Sequence, residues 1–179
     1  MVLGGDLSQI SLQTARLTLR SFTAADATES FVAADASVAR YMSWNPPVSE
    51  AEFETIWQKS LSDMKSGSQL SLVIRNSATR EFLGSAGLHP ADADLLETGI
   101  WIKTSAQGQG YGREAVAALM AWAGGKFHAS ALLWPVVEEN LPSRKLAESL
   151  GGKVIGSRQR QKPGDVSRNL LVYAIPCSR

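Results

Sequence analysis

The sequence predicts a single mixed α/β domain built on one sheet, with elements in the order β-αα-βββ-α-β-α-ββ. Three observations predict it. Short segments of alternating apolar and polar residues recur along the chain and mark strands with one buried face. Between them lie stretches whose apolar residues repeat at helical spacing. The chain has 179 residues, 44% hydrophobic and 20% charged, which is ordinary globular usage and enough for one substantial core.

The elements follow in order. Leu17 and Leu19 alternate with Arg16, Thr18 and Arg20, giving the first strand. Thr23, with Asp26 three positions later, suits the start of a helix running through Ala34. Asn45-Pro46-Pro47 interrupts the chain, and Ser49 caps a second helix on which Phe53, Ile56, Trp57 and Leu61 share a face. Residues 69–75 and 81–89 read as a hairpin around a polar turn, and 95–103 as a third strand. A Gln/Gly-rich loop over 105–112 leads into a helix with Val116, Leu119, Met120, Ala123 and Phe127 on one face. An apolar strand over 131–137 comes next. A short helix over 142–150 then carries Pro142 in its first turn and Gly151-Gly152 at its end. Two C-terminal strands complete the domain, which spans 1–179.

Composition narrows the function. Eighteen Lys+Arg against seventeen Asp+Glu give a net charge of +1, with no basic excess to suggest nucleic acid as the main partner. The single cysteine, Cys177, excludes an internal disulfide framework and any multi-cysteine zinc site. His89 and His128 lack companion ligands, so no metal is expected. The N-terminus has no apolar signal-peptide core, and the charge-free run over 115–125 is far short of the roughly 20 residues that span a bilayer. The expectation is a soluble cytoplasmic protein with no membrane partner.

Gln107-Gly108-Gln109-Gly110-Tyr111-Gly112, between a strand and a helix, is the sharpest feature. Glycines allow tight turns and close approach, so that backbone amides and a helix N-terminus point together at an anion. A dinucleotide fingerprint needs G-x-G-x-x-G and an acid about 20 residues on. Here the pattern is G-x-G-x-G and Ser130 stands near that place. A triphosphate loop needs G-K-[ST], and Arg113-Glu114 follows Gly112. Both nucleotide patterns fail.

With its surroundings, the loop resembles a different signature. Glu97-Thr98-Gly99-Ile100-Trp101-Ile102, then Gln107-x-x-Gly110-x-Gly112-x-Glu114-Ala115, is similar to the acetyl-CoA motif of the GCN5-related N-acetyltransferases (GNAT). Asn140-x-x-Ser143-x-x-Leu146 with Leu150-Gly151 resembles their second motif. Arg16-Leu17-Thr18-Leu19-Arg20 and Asp26 resemble the opening of the RimJ/RimL-like branch, which acetylates ribosomal-protein N-termini. The resemblance covers residues 16 to about 175. It implies a mostly antiparallel sheet flanked by helices, splayed between the strands near 95–103 and 131–137.

The resemblance also implies roles. Backbone amides of Gln107, Gly108, Gln109, Gly110, Tyr111 and Gly112 would hold the pyrophosphate of acetyl-CoA, with Arg113 placed to pair with a phosphate oxygen. The strand through Trp101, Ile102 and Lys103 would pair with the pantetheine arm, and an N–H near Ile102 would polarise the thioester carbonyl. Pro135, which has no N–H, suits the broken ladder of the splay. Glu97 is the candidate base for an acceptor ammonium of pKa ~10; a solvated strand-end carboxylate is the alternative. The family's second-motif tyrosine falls on Ala147, leaving Ser143 as the nearest hydroxyl for the leaving thiolate. A helix-capping role for Ser143 is as good a reading. Asn140 is a candidate partner of the pantetheine amides, or an N-cap.

On the acceptor side, Tyr41, Trp44, Trp57 and His89 are candidate pocket residues, with core packing the alternative for the aromatics. Seven acids over 21–64 oppose only Arg40 and Lys59. Six bases over 151–179 (Lys153, Arg158, Arg160, Lys162, Arg168, Arg179) oppose only Asp165. That asymmetry suggests attraction of a cationic acceptor; solvated helix faces are the alternative. The expected activity is acetyl transfer from acetyl-CoA to a primary amine, foremost a peptide or protein N-terminus, by a monomer or homodimer. A small-amine acceptor (amino acid, polyamine or aminoglycoside) and a non-catalytic acyl-CoA-binding module are the rivals.

Overall fold

A computed structural model describes residues 3–91, 95–162, 164 and 167–177. The strands are β1 (Ser11–Gln13), β2 (Leu17–Ser21), β3 (Leu70–Asn76), β4 (Phe82–Pro90), β5 (Leu96–Ile102), β6 (Ala131–Val137), β7 (Lys153–Arg160) and β8 (Arg168–Pro176). The helices are α1 (Ala27–Ala33), α2 (Ala36–Ala39), α3 (Glu50–Ser66), α4 (Tyr111–Phe127) and α5 (Leu141–Ser149). All eight strands form one sheet in the order β1-β2-β3-β4-β5-β6-β8-β7. Every neighbouring pair is antiparallel except β5 and β6.

The predicted elements are present within a few residues of their expected bounds, and two more appear. β1 has three residues and α2 four, too short to carry a periodic signal. The helix expected from Thr23 begins as a 3-10 turn, Ala24–Asp26, before α1. On α3, Ser49 Oγ accepts from Glu52 N–H (3.1 Å) and left-handed Gly67 ends the helix.

Register separates the two faces of the sheet. Ser71 pairs with Gly87 and Gly87 with Gly99, so all three share a face with Glu97 and Trp101. Ser60 of α3 bonds Ser71 (2.7 Å), which places α3 on that face. A Cβ at Gly112 of α4 would lie 3.8 Å from the Ile102 side chain, so α4 covers the other face. The core there includes Leu17, Leu19, Leu72, Ile74, Leu88, Val116, Leu119 and Leu132.

Asp26 ties α1 to the sheet. Its buried carboxylate accepts from Arg20 (2.6 and 2.8 Å), Arg75 (2.8 Å) and Thr23 N–H and hydroxyl (2.9 and 2.8 Å). Burial alone would raise its pKa; the Arg20, Arg75 and Thr23 hydrogen bonds outweigh it and bring the value down to about 2. Because the folded pKa lies below the unfolded one, the stabilisation is present above pH ~4 and lost as pH falls towards 2. Its size is about 2 kcal/mol. Urea unfolding of wild type and Asp26→Asn, at pH 5 and pH 2.5, checks this. The stability gap between the two proteins should shrink by about that amount at the lower pH, and a gap that does not change would contradict it.

Candidate active site

β5 and β6 pair only through Leu96↔Leu132 and Glu97↔Leu133; beyond these residues they part. The hydrogen bonds at each end of the β4–β5 ladder, Ala91 N–H to Leu95 O (2.7 Å) and Lys103 N–H to Leu83 O (2.8 Å), fix the alternation. The backbone groups of Glu97, Gly99 and Trp101 therefore face β4, and those of Thr98, Ile100 and Ile102 face the gap. On β6, Glu138 N–H donates to Asn169 O and Cys177 N–H to Ser130 O. By the same alternation, residues 131, 133, 135 and 137 face the gap. Pro135 thus lacks an N–H where no strand stands to accept one.

The gap is a cavity of about 450 Å³. Its walls include residues from both faces of each strand, Glu97 to Ile100 on β5 and Trp134 to Val137 on β6, so it runs through the sheet. At one mouth stand Asn140 and Ser143; at the other, Tyr41, His89, Arg158 and Arg160.

The glycine loop lies on the same side of the sheet as Asn140 and Ser143, next to α5: a Cβ at Gly112 would stand 3.1 Å from the Leu146 side chain. Gly108 (φ 75°) and Gly110 (φ 80°) take left-handed conformations, and Gly110 is the N-cap of α4. The Gln109 N–H closes the turn at Gln107–Gly108, and no described residue accepts from the amides of Gly108 and of Gly110 through Arg113, the last three of which belong to the first helical turn. Five unmatched N–H groups at a helix N-terminus suit a pyrophosphate. Gln107 Nε2 donates to Ile102 O (2.9 Å), joining the loop to β5. Arg16 braces the loop: Nη1 donates to Gln109 O (3.0 Å), Nε to Glu114 Oε2 (2.7 Å), and the guanidinium lies 4.6 Å from the Tyr111 ring centre. Thr14 completes the clamp on Glu114 (2.6 Å).

Glu97 is 9% exposed at the opposite mouth. Its Oε1 lies 3.3 Å from His89 Nε2, and its Oε2 accepts from Arg158 Nη2 (2.7 Å). Burial raises its pKa, but the hydrogen bonds from His89 and Arg158 outweigh it, so the carboxyl titrates below the ordinary glutamate value. It is an anion at neutral pH, able to accept a proton. Ser143 Oγ accepts from Trp134 Nε1 (3.0 Å), which leaves its own O–H for another acceptor. Asn140 Oδ1 caps α5 through Ser143 N–H (3.3 Å).

A family model described as an acetyltransferase (GNAT) domain matches residues 16–153. The chain belongs to the GNAT acetyltransferase family. Its acyl donor is accordingly acetyl-CoA. Among solved structures, the chain is similar to a GNAT-family acetyltransferase from Bacillus anthracis (TM-score 0.80, 18% identity, covering 93% of this chain and 98% of that one). It is also similar to spermidine N-acetyltransferase from Vibrio cholerae, solved with CoA and spermine (0.76, 19%, 90% and 97%). A third is RimL, a ribosomal L7/L12 α-N-protein acetyltransferase (0.78, 17%, 93% and 94%). At these identities the likeness speaks to fold. No curated protein matches the chain by sequence.

In this GNAT domain, Tyr41, His89, Glu97, Asn140 and Ser143 all line the slot, and Trp44 and Trp57 do not. They line a second cavity of about 590 Å³ between α3 and the sheet, together with Trp101. The Trp101 and Trp44 rings are 6.3 Å apart at 71°, and Trp57 stacks obliquely on Phe22 (6.5 Å). The Trp101 ring thus lies on the α3 face, away from the glycine loop. Lys103 also departs from expectation: its N–H is used by Leu83 O and its Nζ by Glu81 (2.6 Å), so neither faces the slot. Arg113 reaches Ser149 O (3.4 Å).

The charge asymmetry resolves differently too. Asp26 is consumed in its buried cluster, Asp35 caps α2, Asp63 pairs with Lys59 and Glu29 with Arg75. Of the C-terminal cations, Arg158 and Arg160 line the slot and two others hold α2: Lys162 Nζ donates to Ala39 O (2.9 Å) and Arg168 Nη1 to Arg40 O (3.2 Å). Asp165 and Arg179 lie outside the described residues. The mouth is therefore cationic, against the expectation of an acidic entrance. Arg158 was not among the candidate residues, because β7 is exposed along nearly its whole length and gives no local signal.

Proposed function

We propose that this enzyme acetylates an α-amine, foremost the N-terminus of a peptide or protein. The observation that carries this reading is the weakened basicity of Glu97, held between His89 and Arg158. A carboxylate of lowered pKa is poorly matched to an ε-amine or polyamine of pKa ~10.4, whereas an α-amine of pKa ~7.7–8.0 is already partly neutral at pH 7. The similarity to RimL supports the same reading.

The residues divide the work. Bound acetyl-CoA supplies a thioester as the acyl donor. Loop amides and the N-terminus of α4 hold its pyrophosphate. The slot-facing N–H groups of Ile100 and Ile102 offer hydrogen bonds to pantetheine and to the acyl oxygen as charge develops there. Glu97 accepts the proton that the amine releases as its nitrogen bonds the acyl carbon and the carbon–sulfur bond breaks. Ser143 O–H is placed to donate to the departing sulfur, although a thiol of pKa ~8.5 leaves partly ionised without it.

The test compares initial rates of CoA release with three acceptors: a peptide with a free N-terminus, an N-capped peptide bearing one lysine, and spermidine. The free N-terminus should be preferred by tenfold or more at pH 7. Preference for lysine or spermidine would contradict the reading.

A further inference from the structure

Arg160 follows Arg158 on β7 by two residues, so both side chains leave the same face of the strand, and both line the slot. Arg158 is committed to Glu97 (2.7 Å). Arg160 is different. It is partly buried, yet among the described residues no carboxylate or other acceptor meets its guanidinium. A guanidinium remains charged under these conditions. The ionic side chains lining the slot are Arg158, Arg160, His89 and Glu97. Glu97 is already balanced by Arg158, so one permanent positive charge is left over. A neutral or cationic acceptor seated there would cover Arg160 without pairing it, which is costly for a desolvated charge. An acceptor that brings its own anion removes that cost.

We propose that the acceptor carries a carboxylate within about one residue of its reactive amine, and that Arg160 binds this carboxylate. The proposal rests on the α-amine reading above and narrows it. Residues i and i+2 of a strand are ~6.6 Å apart. That is the scale separating an amine beside Glu97 from an acidic side chain at the first or second position of a polypeptide. The α-carboxylate of a free amino acid is a second source of the same chemistry. Both satisfy a planar guanidinium through paired hydrogen bonds.

Initial rates at saturating acetyl-CoA test it with matched acceptors: Ser-Glu, Ser-Gln and Ser-Lys hexapeptides, and glutamate beside its diamide, with wild type and Arg160→Gln. Wild type should favour the carboxylate member of a pair by about 10- to 100-fold in kcat/KM, with Ser-Lys slowest of the peptides. Arg160→Gln should collapse that ratio towards one, and Arg160→Lys should restore part of it. A preference confined to the hexapeptides names a polypeptide as the source, and one confined to glutamate names a free amino acid. Equal rates within each wild-type pair, or a ratio unchanged in Arg160→Gln, overturn the proposal while turnover of the neutral peptide leaves the α-amine reading standing. Turnover of spermidine or a lysine side chain with no α-amine acetylated overturns both.

Discussion

Glu97→Gln should lower kcat/KM for the acceptor by 10²- to 10⁴-fold, the usual scale for a positioned general base, while acetyl-CoA affinity stays within about twofold. The substitution keeps size and a hydrogen-bond acceptor for Arg158, and removes the site that takes the proton. Acetyl-CoA affinity separates this effect from a structural one, since Glu97 lies on the α3 face of the sheet and the glycine loop starts α4 on the other face. Glu97→Asp keeps the charge but shortens the reach to Arg158 and His89, and an intermediate loss is expected. Stopped-time assays of CoA release alongside equilibrium binding decide the matter. A Glu97→Gln enzyme with more than a tenth of wild-type turnover would make Glu97 a structural carboxylate.

Gly110→Val should weaken acetyl-CoA binding by roughly 5- to 150-fold, corresponding to about 1–3 kcal/mol of strain relieved by moving the loop. The cause is the backbone: Gly110 sits at φ 80°, a conformation that a β-branched residue tolerates poorly. Its added Cβ would only touch Arg16 Nη2, at 3.4 Å. Gly110→Asn should cost less, because asparagine visits the left-handed region more readily. Isothermal titration with CoA ranks the three proteins. Equal affinities would mean that the loop conformation does not govern binding.

Much of this was legible in the sequence because it depends on local rules. Alternation placed Glu97, Gly99 and Trp101 on one face, and the register agrees. Glycines and the helix start marked the loop with open amides at the start of α4, and a strand proline in β6 marked the side of the ladder that stays open. Side-chain direction was harder to turn into roles: the same alternation that exposes Glu97 to the slot sends the Trp101 ring to Trp44, away from the glycine loop. What could not be read were contacts made by long charged side chains across the fold. Arg158 meets Glu97 over a separation of 61 residues, and Arg16 meets Glu114 over 98. Neither leaves a periodic trace. The apparent acidic entrance failed partly for the same reason: Asp26 and Glu29 are spent on Arg75, 49 and 46 residues away, while Asp35 and Asp63 are spent locally on the Val38 N–H and on Lys59.

The central claim is that the glycine loop and the β5–β6 slot together hold acetyl-CoA, and thermal unfolding with and without it tests this most directly. At 100 times the dissociation constant, binding to the native state adds about 2.7 kcal/mol, which for a chain of this size is a rise in Tm of roughly 5–10 °C. A Tm unmoved at millimolar acetyl-CoA would contradict the account.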